Sequence, residues 1–252
     1  MSDPVKKYYD KVLELLSIIM KDEKERIERA ADIITERVTK NEGLLYALGT
    51  GHSMLIVQEM FARAGGLMPV NAILDPAISP LFQSKALEVE RMSGYARILL
   101  NYYGLTNNDV LMVISTSGIN AVPVEACMEA KKVGAYVIGL TSVEWSSKIP
   151  QESVNKRNKY GKRLYEVADL VIDTHVPFGD AVVRIGDFIK PVAPVSTVIG
   201  SFIVNSIVAK VAENCYKKGI EPPIWASSNV PGGDEMDAPY FKKYRFSRIK
   251  HF

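Results

Sequence analysis

Two cysteines, three histidines and two tryptophans are all that this 252-residue chain contains of those types. Cys127 and Cys215 are too few to weave a disulfide framework, and no Cys/His spacing matches a zinc site. Both lie in helix-like stretches among apolar or small neighbours, which predicts reduced, buried thiols. No run approaches the ~18 apolar residues that a membrane span needs, and no apolar signal core opens the chain. A cytoplasmic protein with no membrane contact is the expectation. An excess of charge is also lacking: 31 basic residues meet 29 acidic ones, for a net +2. Such a balance predicts no general attraction to nucleic acid. The exception is the stretch 240–252, which carries Lys242, Lys243, Arg245, Arg248 and Lys250 without an acid, interleaved with Phe241, Tyr244 and Phe246. It reads as interface or solvated surface. Repeats and low-complexity tracts are absent.

What is present is the composition of a packed domain, with 47% hydrophobic and 24% charged residues. Residues 1–40 read as one long helix, with apolar positions at Val12, Leu15, Leu16, Ile19, Ile27, Ala30, Ala31, Ile34 and Val38. Its stripe needs a partner, either the domain behind it or a second subunit. After Gly43, short apolar runs begin at Leu44, Val70, Val110, Tyr136 and Leu170. They lack alternation, as strands buried on both faces do. Helical stretches at 53–64, 87–103 and 120–133 lie between them, and 194–217 forms a closing helix. The alternation predicts a doubly wound α/β domain with a parallel sheet over 41–219, preceded by a helical extension (1–40) and followed by an ordered arm (220–252). The stretch 142–163 stands out as a long connection holding Lys148, Lys156, Arg157, Lys159, Lys162 and Arg163. Either it closes over an anion or it is solvated surface.

In open parallel sheets, ligands bind beyond the carboxyl ends of the strands. The first run is followed by Gly49-Thr50-Gly51-His52-Ser53, and the third by Ser115-Thr116-Ser117-Gly118-Ile119-Asn120, each leading into a helix. Glycines let the backbone approach an anion, hydroxyls add donors, and a helix N-terminus offers free N–H groups. Either turn alone serves equally as a helix cap. Together they suit a phosphate and the sugar attached to it. A dinucleotide fingerprint begins at Gly49, with Asp75 ending the second run, but Met54 takes the place of the third glycine.

With these two turns in this order, the chain resembles the sugar isomerase (SIS) domain family. The runs Gly161-Lys162-Arg163-Leu164 and Ser228-Asn229-Val230-Pro231-Gly232-Gly233-Asp234-Glu235 are similar to stand-alone bacterial phosphosugar-binding members related to phosphoheptose isomerases. The resemblance implies a five-stranded parallel sheet of flavodoxin-like order and a homodimer or homotetramer with sites near subunit interfaces. It implies no cofactor, and no metal in most members, although some phosphoheptose isomerases use zinc. Carried over residue by residue, Ser115, Thr116, Ser117 and Asn120 cradle the phosphate, with Gly51 and Ser53 contributing from the first turn. The family's glutamate, ten residues past that serine, is replaced by Arg63, and Glu59 one turn earlier is the alternative base. The family's histidine on the last helix is also missing, which leaves His175 or His52 to carry a second proton. The expected activity is aldose–ketose isomerisation of a sugar phosphate. A non-catalytic phosphosugar sensor and a lyase or etherase stand as alternatives.

Overall fold

The computed structural model describes residues 3–40, 42–245 and 248–251, with no account of the side chains of 244 and 245. Phe246, one of the aromatics interleaved in the basic tail, lies outside the described residues. The chain runs α1 (Pro4–Asp22), α2 (Lys24–Lys40), β1 (Leu45–Gly49), α3 (Met54–Met60), β2 (Val70–Ile73), α4 (Gln83–Val89), α5 (Tyr95–Tyr103), β3 (Val110–Ile114), α6 (Ala121–Lys132) and β4 (Tyr136–Thr141). It continues through α7 (Val143–Lys148), α8 (Gln151–Arg157), α9 (Leu164–Val167), β5 (Leu170–Asp173), β6 (Ala181–Val183), β7 (Val192–Pro194), α10 (Ser196–Lys217) and α11 (Gly233–Arg245).

Five strands pair in parallel in the order β2-β1-β3-β4-β5. Alternate residues of β1 to β4 feed two different cores. Leu45, Ala47, Val110 and Met112 join α1, α2, α3 and α10 on one face. Leu44, Tyr46, Leu48, Leu111 and Val113 join α5, α6 and the arm residues Trp225 and Ile249 on the other. Burial on both faces explains why the runs read as continuously apolar. α10 is the one described helix long and apolar enough to cross a membrane by length and composition, with mean hydropathy 1.3. Its apolar positions Ile199, Ile203, Ile207 and Val211 are instead buried beneath the sheet.

The structure differs from the sequence expectation at several points. The helix over 1–40 is broken at Glu23, whose buried carboxylate accepts the Asp173 N–H at 3.1 Å and the Arg26 guanidinium at 2.8 Å. Its partner is the domain itself, so residues 1–40 contribute to the common core. The helix over 87–103 is two helices, because Gly94 takes φ +88° and its N–H donates to Glu125 Oε2 at 2.5 Å. The long connection after β4 folds as α7 and α8. The antiparallel hairpin β6–β7 is an addition that short, mixed runs did not announce. After α10 the described residues return to the domain: Trp225 exchanges hydrogen bonds with Gly65 (2.8 Å) and Gly66 (3.0 Å). Cys127 and Cys215 are free and buried, and burial pushes the Cys127 thiol up to about 12.

Candidate functional site

Strand order reverses between β1 and β3, and this places the two hydroxyl-rich turns side by side. Gly49 is in register with Ile114, so Thr50 and Ser115 leave adjacent strands together. Neighbouring strands lie about 4.8 Å apart, which brings both turns within the span of one small ligand.

The second turn is held from below. Thr116 O accepts the Ser142 N–H at 3.0 Å and the Thr141 hydroxyl at 3.2 Å, while Ser115 Oγ accepts the Gly118 N–H at 3.3 Å. Gly118 takes φ +60°, and a Cβ there would meet Thr141 Oγ1 at 2.7 Å. Asn158, buried, donates its side-chain amide to Ile119 O at 2.8 Å. The upper side is left open. Among the described residues, the backbone N–H groups of Thr116, Ser117, Ile119 and Asn120 find no acceptor, nor do the hydroxyls of Thr116 and Ser117. α6 follows directly, with Asn120 as its N-cap but without a side-chain cap bond. A run of unfilled donors at a helix N-terminus attracts an anion.

Asn120 departs from its expected part. Its Nδ2 donates to Glu90 Oε1 at 2.8 Å, and its Oδ1 is buried with no partner. With the amide nitrogen engaged, the remaining atom is an acceptor; it suits a sugar hydroxyl and would repel a phosphate oxygen. For Glu90 the sequence alone leaves two readings, a solvated helix face or a reach into a neighbouring subunit's site. Glu90 is only 8% exposed, and its carbonyl accepts the Val122 N–H at 2.9 Å. Burial pushes its carboxyl above the usual glutamate range, against the Thr50 hydroxyl and the charges of Arg91 and Arg157, which draw it down. A base of this kind, raised toward neutrality beside an anion seat, is suited to proton abstraction. The helix break at Gly94 turns the end of α4 inward, and continuous helical periodicity hid it.

In the first turn, Gly51 takes φ +54° and Ser53 N donates to Thr50 O at 3.2 Å, with Ser53 half-buried and His52 exposed. Glu59 is ion-paired with Arg63 and accepts from Asn205 of α10 at 2.9 Å. These bonds hold it on the surface between α3 and α10, apart from the Ser115 turn in the contacts it makes. His175 lies past β5, two strands from β3, with its Nε2 3.2 Å from Glu23 Oε1. The structure therefore gathers Thr50, Gly51, Ser53, Ser115–Asn120 and Glu90, and leaves His175 and Glu59 with other partners. Asp75 caps the turn after β2 through the Ala77 N–H (2.6 Å) and accepts the Tyr95 hydroxyl (3.1 Å), so both its oxygens are engaged. Among the described residues no group of three or more His, Cys, Asp or Glu side chains is placed to hold a metal ion.

A flavodoxin-ordered sheet with hydroxyl turns meeting at its switch point is the frame of the sugar isomerase domains. The SIS domain model matches residues 7–142, and the chain belongs to that family. Its sequence is 38% identical over 242 residues to a UPF0309 protein of Geobacillus kaustophilus, covering 96% of this chain and 94% of that one. Among solved structures, a phosphoheptose isomerase from Francisella tularensis has a similar fold, with TM-score 0.55 and 17% identity over 83% of this chain and 96% of the other. The Vibrio vulnificus NanR protein complexed with ManNAc-6P superposes with TM-score 0.52 and 13% identity, over 96% of this chain and 70% of that one.

Proposed function

We propose that the chain binds a phosphorylated sugar at the ends of β1 and β3 and isomerises it between aldose and ketose, with Glu90 as the base. The phosphate would fill the open N–H groups and hydroxyls of Thr116 and Ser117, braced by Ser115. Gly51 and Ser53 would border the sugar, and Asn120 Oδ1 would accept from one of its hydroxyls. In the reaction, the Glu90 carboxylate takes the proton from the carbon beside the carbonyl, leaving an enediol, and returns it to the neighbouring carbon. His52 at the mouth of the site is our choice for the proton that must pass between the two oxygens. Glu59, the expected base, and His175, the alternative to His52 as second proton carrier, are less well placed because of their bonds to Arg63, Asn205 and Glu23.

One observation carries the reading: a row of unfilled donors ends at Asn120, whose amide donates at 2.8 Å to a buried carboxylate that burial shifts upward. The family supports a phosphosugar ligand, and the ManNAc-6P complex of NanR shows one held on a like fold. A homodimer or homotetramer fits the exposed apolar stripe Val5, Tyr9, Leu13 and Met20 along α1.

The test is a thermal-shift panel of sugar phosphates beside the same sugars without phosphate, followed by turnover of those that bind. Phosphorylated members are expected to raise the melting temperature, and Glu90→Gln to lower kcat by about 10²- to 10⁴-fold with binding retained. Binding without conversion by the wild type would make the chain a sensor. Products of bond cleavage would make it a lyase or etherase.

A further inference from the structure

The proposed seat is short of charge. Ser115-Thr116-Ser117-Gly118-Ile119-Asn120 holds no cation, and the dipole of α6 supplies only about half a unit. A phosphate monoester near neutral pH carries between one and two negative charges. A deprotonated Glu90 beside it would add a further negative charge. A cation is needed, and most of the basic residues around the site are already engaged. In the stretch after β4, Lys148 is paired with Glu144 and Lys156 with Glu152. Lys159 lies over the Tyr160 ring at 5.0 Å. Arg163 is buried and donates to Ser146 O (3.0 Å), Ile149 O (2.6 Å) and Gln151 Oε1 (2.6 Å). Lys162 is exposed.

Two arginines differ from these. Arg157, half-buried at the end of α8, directly precedes Asn158, whose amide grips Ile119 O at 2.8 Å. Arg91, half-buried, directly follows Glu90, whose carboxylate sits on Asn120 at 2.8 Å. Each is thus one residue from a bond to the Ser115 turn, and the two approach from different elements. Among the described residues neither has a carboxylate within ion-pair distance. The Nε of Arg91 is fully buried with no hydrogen-bond partner. An unpaired buried guanidinium N–H is costly unless a ligand or water fills it. Both positive charges also act on the Glu90 carboxyl, lowering its proton affinity.

We infer that Arg91 and Arg157 form a two-armed clamp on the bound phosphate, supplying the charge that the Ser115 turn lacks. The inference rests on the phosphosugar reading of that turn and adds the residues that select a dianionic ligand over a neutral sugar. The clamp gives the two guanidiniums a common task. They hold the phosphate and draw the Glu90 carboxyl down against the rise caused by burial.

The test is calorimetric titration of the full chain with inorganic phosphate, and then with whichever sugar phosphate the panel finds to bind. Arg157→Gln is the main variant, because its side chain is only half-buried and its loss leaves no core defect. Arg91→Lys is the second, since it keeps the charge and sacrifices only the planar fork. Arg157→Gln is expected to weaken phosphate binding by about 10- to 100-fold, to flatten the dependence of affinity on salt, and to leave the melting temperature of the unliganded protein unchanged. The same variant should move the acid limb of the kcat/KM profile to higher pH, because removing a cation raises the carboxyl of the base. Arg91→Lys should weaken phosphate by a smaller factor. Wild type that binds neither phosphate nor any sugar phosphate would overturn the seat and the clamp together. Wild-type binding that both variants match would overturn the clamp and leave the seat standing.

Discussion

The two ends of the central sheet carry similar polar groups and treat them in opposite ways. At the amino end, the fully buried Asp109 carboxylate accepts from Leu44 N (2.9 Å), Thr106 N (2.7 Å), the Thr106 hydroxyl (2.8 Å) and both arms of Arg248 (2.6 and 2.8 Å). Arg248 also reaches Tyr46 and Gly104 O, each at 3.2 Å, and its carbonyl accepts from Asn71 at 2.9 Å. Every arm of that cluster is matched, and the C-terminal segment is latched to the sheet by it. At the carboxyl end, the backbone N–H groups of Thr116, Ser117, Ile119 and Asn120, the side-chain oxygen of Asn120 and the Nε of Arg91 have no protein partner among the described residues. Each unfilled buried group costs about 1–3 kcal/mol. A fold that satisfies one end so fully leaves its other end open to a ligand or ordered water. The contrast also assigns part of the basic tail: Arg248 is a structural ion-pair partner, which removes it from any nucleic-acid surface.

The contrast breaks if disturbing one end disturbs the other. The largest effect on stability should come from Arg248→Leu, which strands Asp109 in the interior. Removing one partner of a fully buried pair costs about 3–5 kcal/mol. Arg248 keeps 37% of its side chain in solvent, so a loss of about 2 kcal/mol in denaturant unfolding is expected, with sugar-phosphate affinity unchanged. A parallel loss of affinity would show that the ends are coupled. The latch carries a pH signature as well. Burial alone would raise the Asp109 carboxyl, but Arg248 and the donors of Leu44 and Thr106 outweigh it and hold it below its ordinary value. A depressed folded value means that its stabilisation is present above the unfolded value of about 4 and is lost as pH falls through the folded one. Wild type and Arg248→Leu should therefore converge in stability below about pH 4.

Gly118→Ala tests the other end. It forces φ +60° on a residue with a Cβ and drives that Cβ to 2.7 Å from Thr141 Oγ1. The expected cost is about 1–2 kcal/mol in stability, with sugar-phosphate affinity lowered by more than about tenfold as the donor row is displaced. Normal affinity in this variant would mean that the turn is a helix cap and nothing more.

The sheet was legible in the sequence because burial on both faces leaves uninterrupted apolar runs, and the two turns were legible because glycine and hydroxyl residues cluster at their ends. Glu90 was not. Its neighbours Glu88 and Arg91 are polar, and helical spacing continues past it, so only the left-handed Gly94 and the Glu125 contact reveal that α4 stops there. Glu23 escaped for the same reason: a charged residue within an amphipathic pattern reads as solvated until a break buries it. Asn120 follows the turn directly in the sequence. Which of its two amide atoms faces a ligand depends on Glu90, a long-range partner that local patterns do not encode. The hairpin β6–β7 has strands of three residues, too short for periodicity to mark.

The smallest expected effect gives the sharpest comparison. Thr50 is buried at the end of β1, and its hydroxyl draws the Glu90 carboxyl down against the rise caused by burial. Thr50→Val keeps the volume and β-branching but removes that donor. The Glu90 carboxyl should then rise further, so the base becomes protonated at a higher pH and the acid limb of the kcat/KM profile moves toward neutrality, while the rate on the plateau changes little. Arg248→Leu acts at the far end of the same sheet and should leave that limb where it is. If Thr50→Val leaves the limb unmoved while Glu90→Gln abolishes turnover, the hydroxyl is only a packing group. If both variants shift it equally, the profile reports overall stability and not the local field at Glu90.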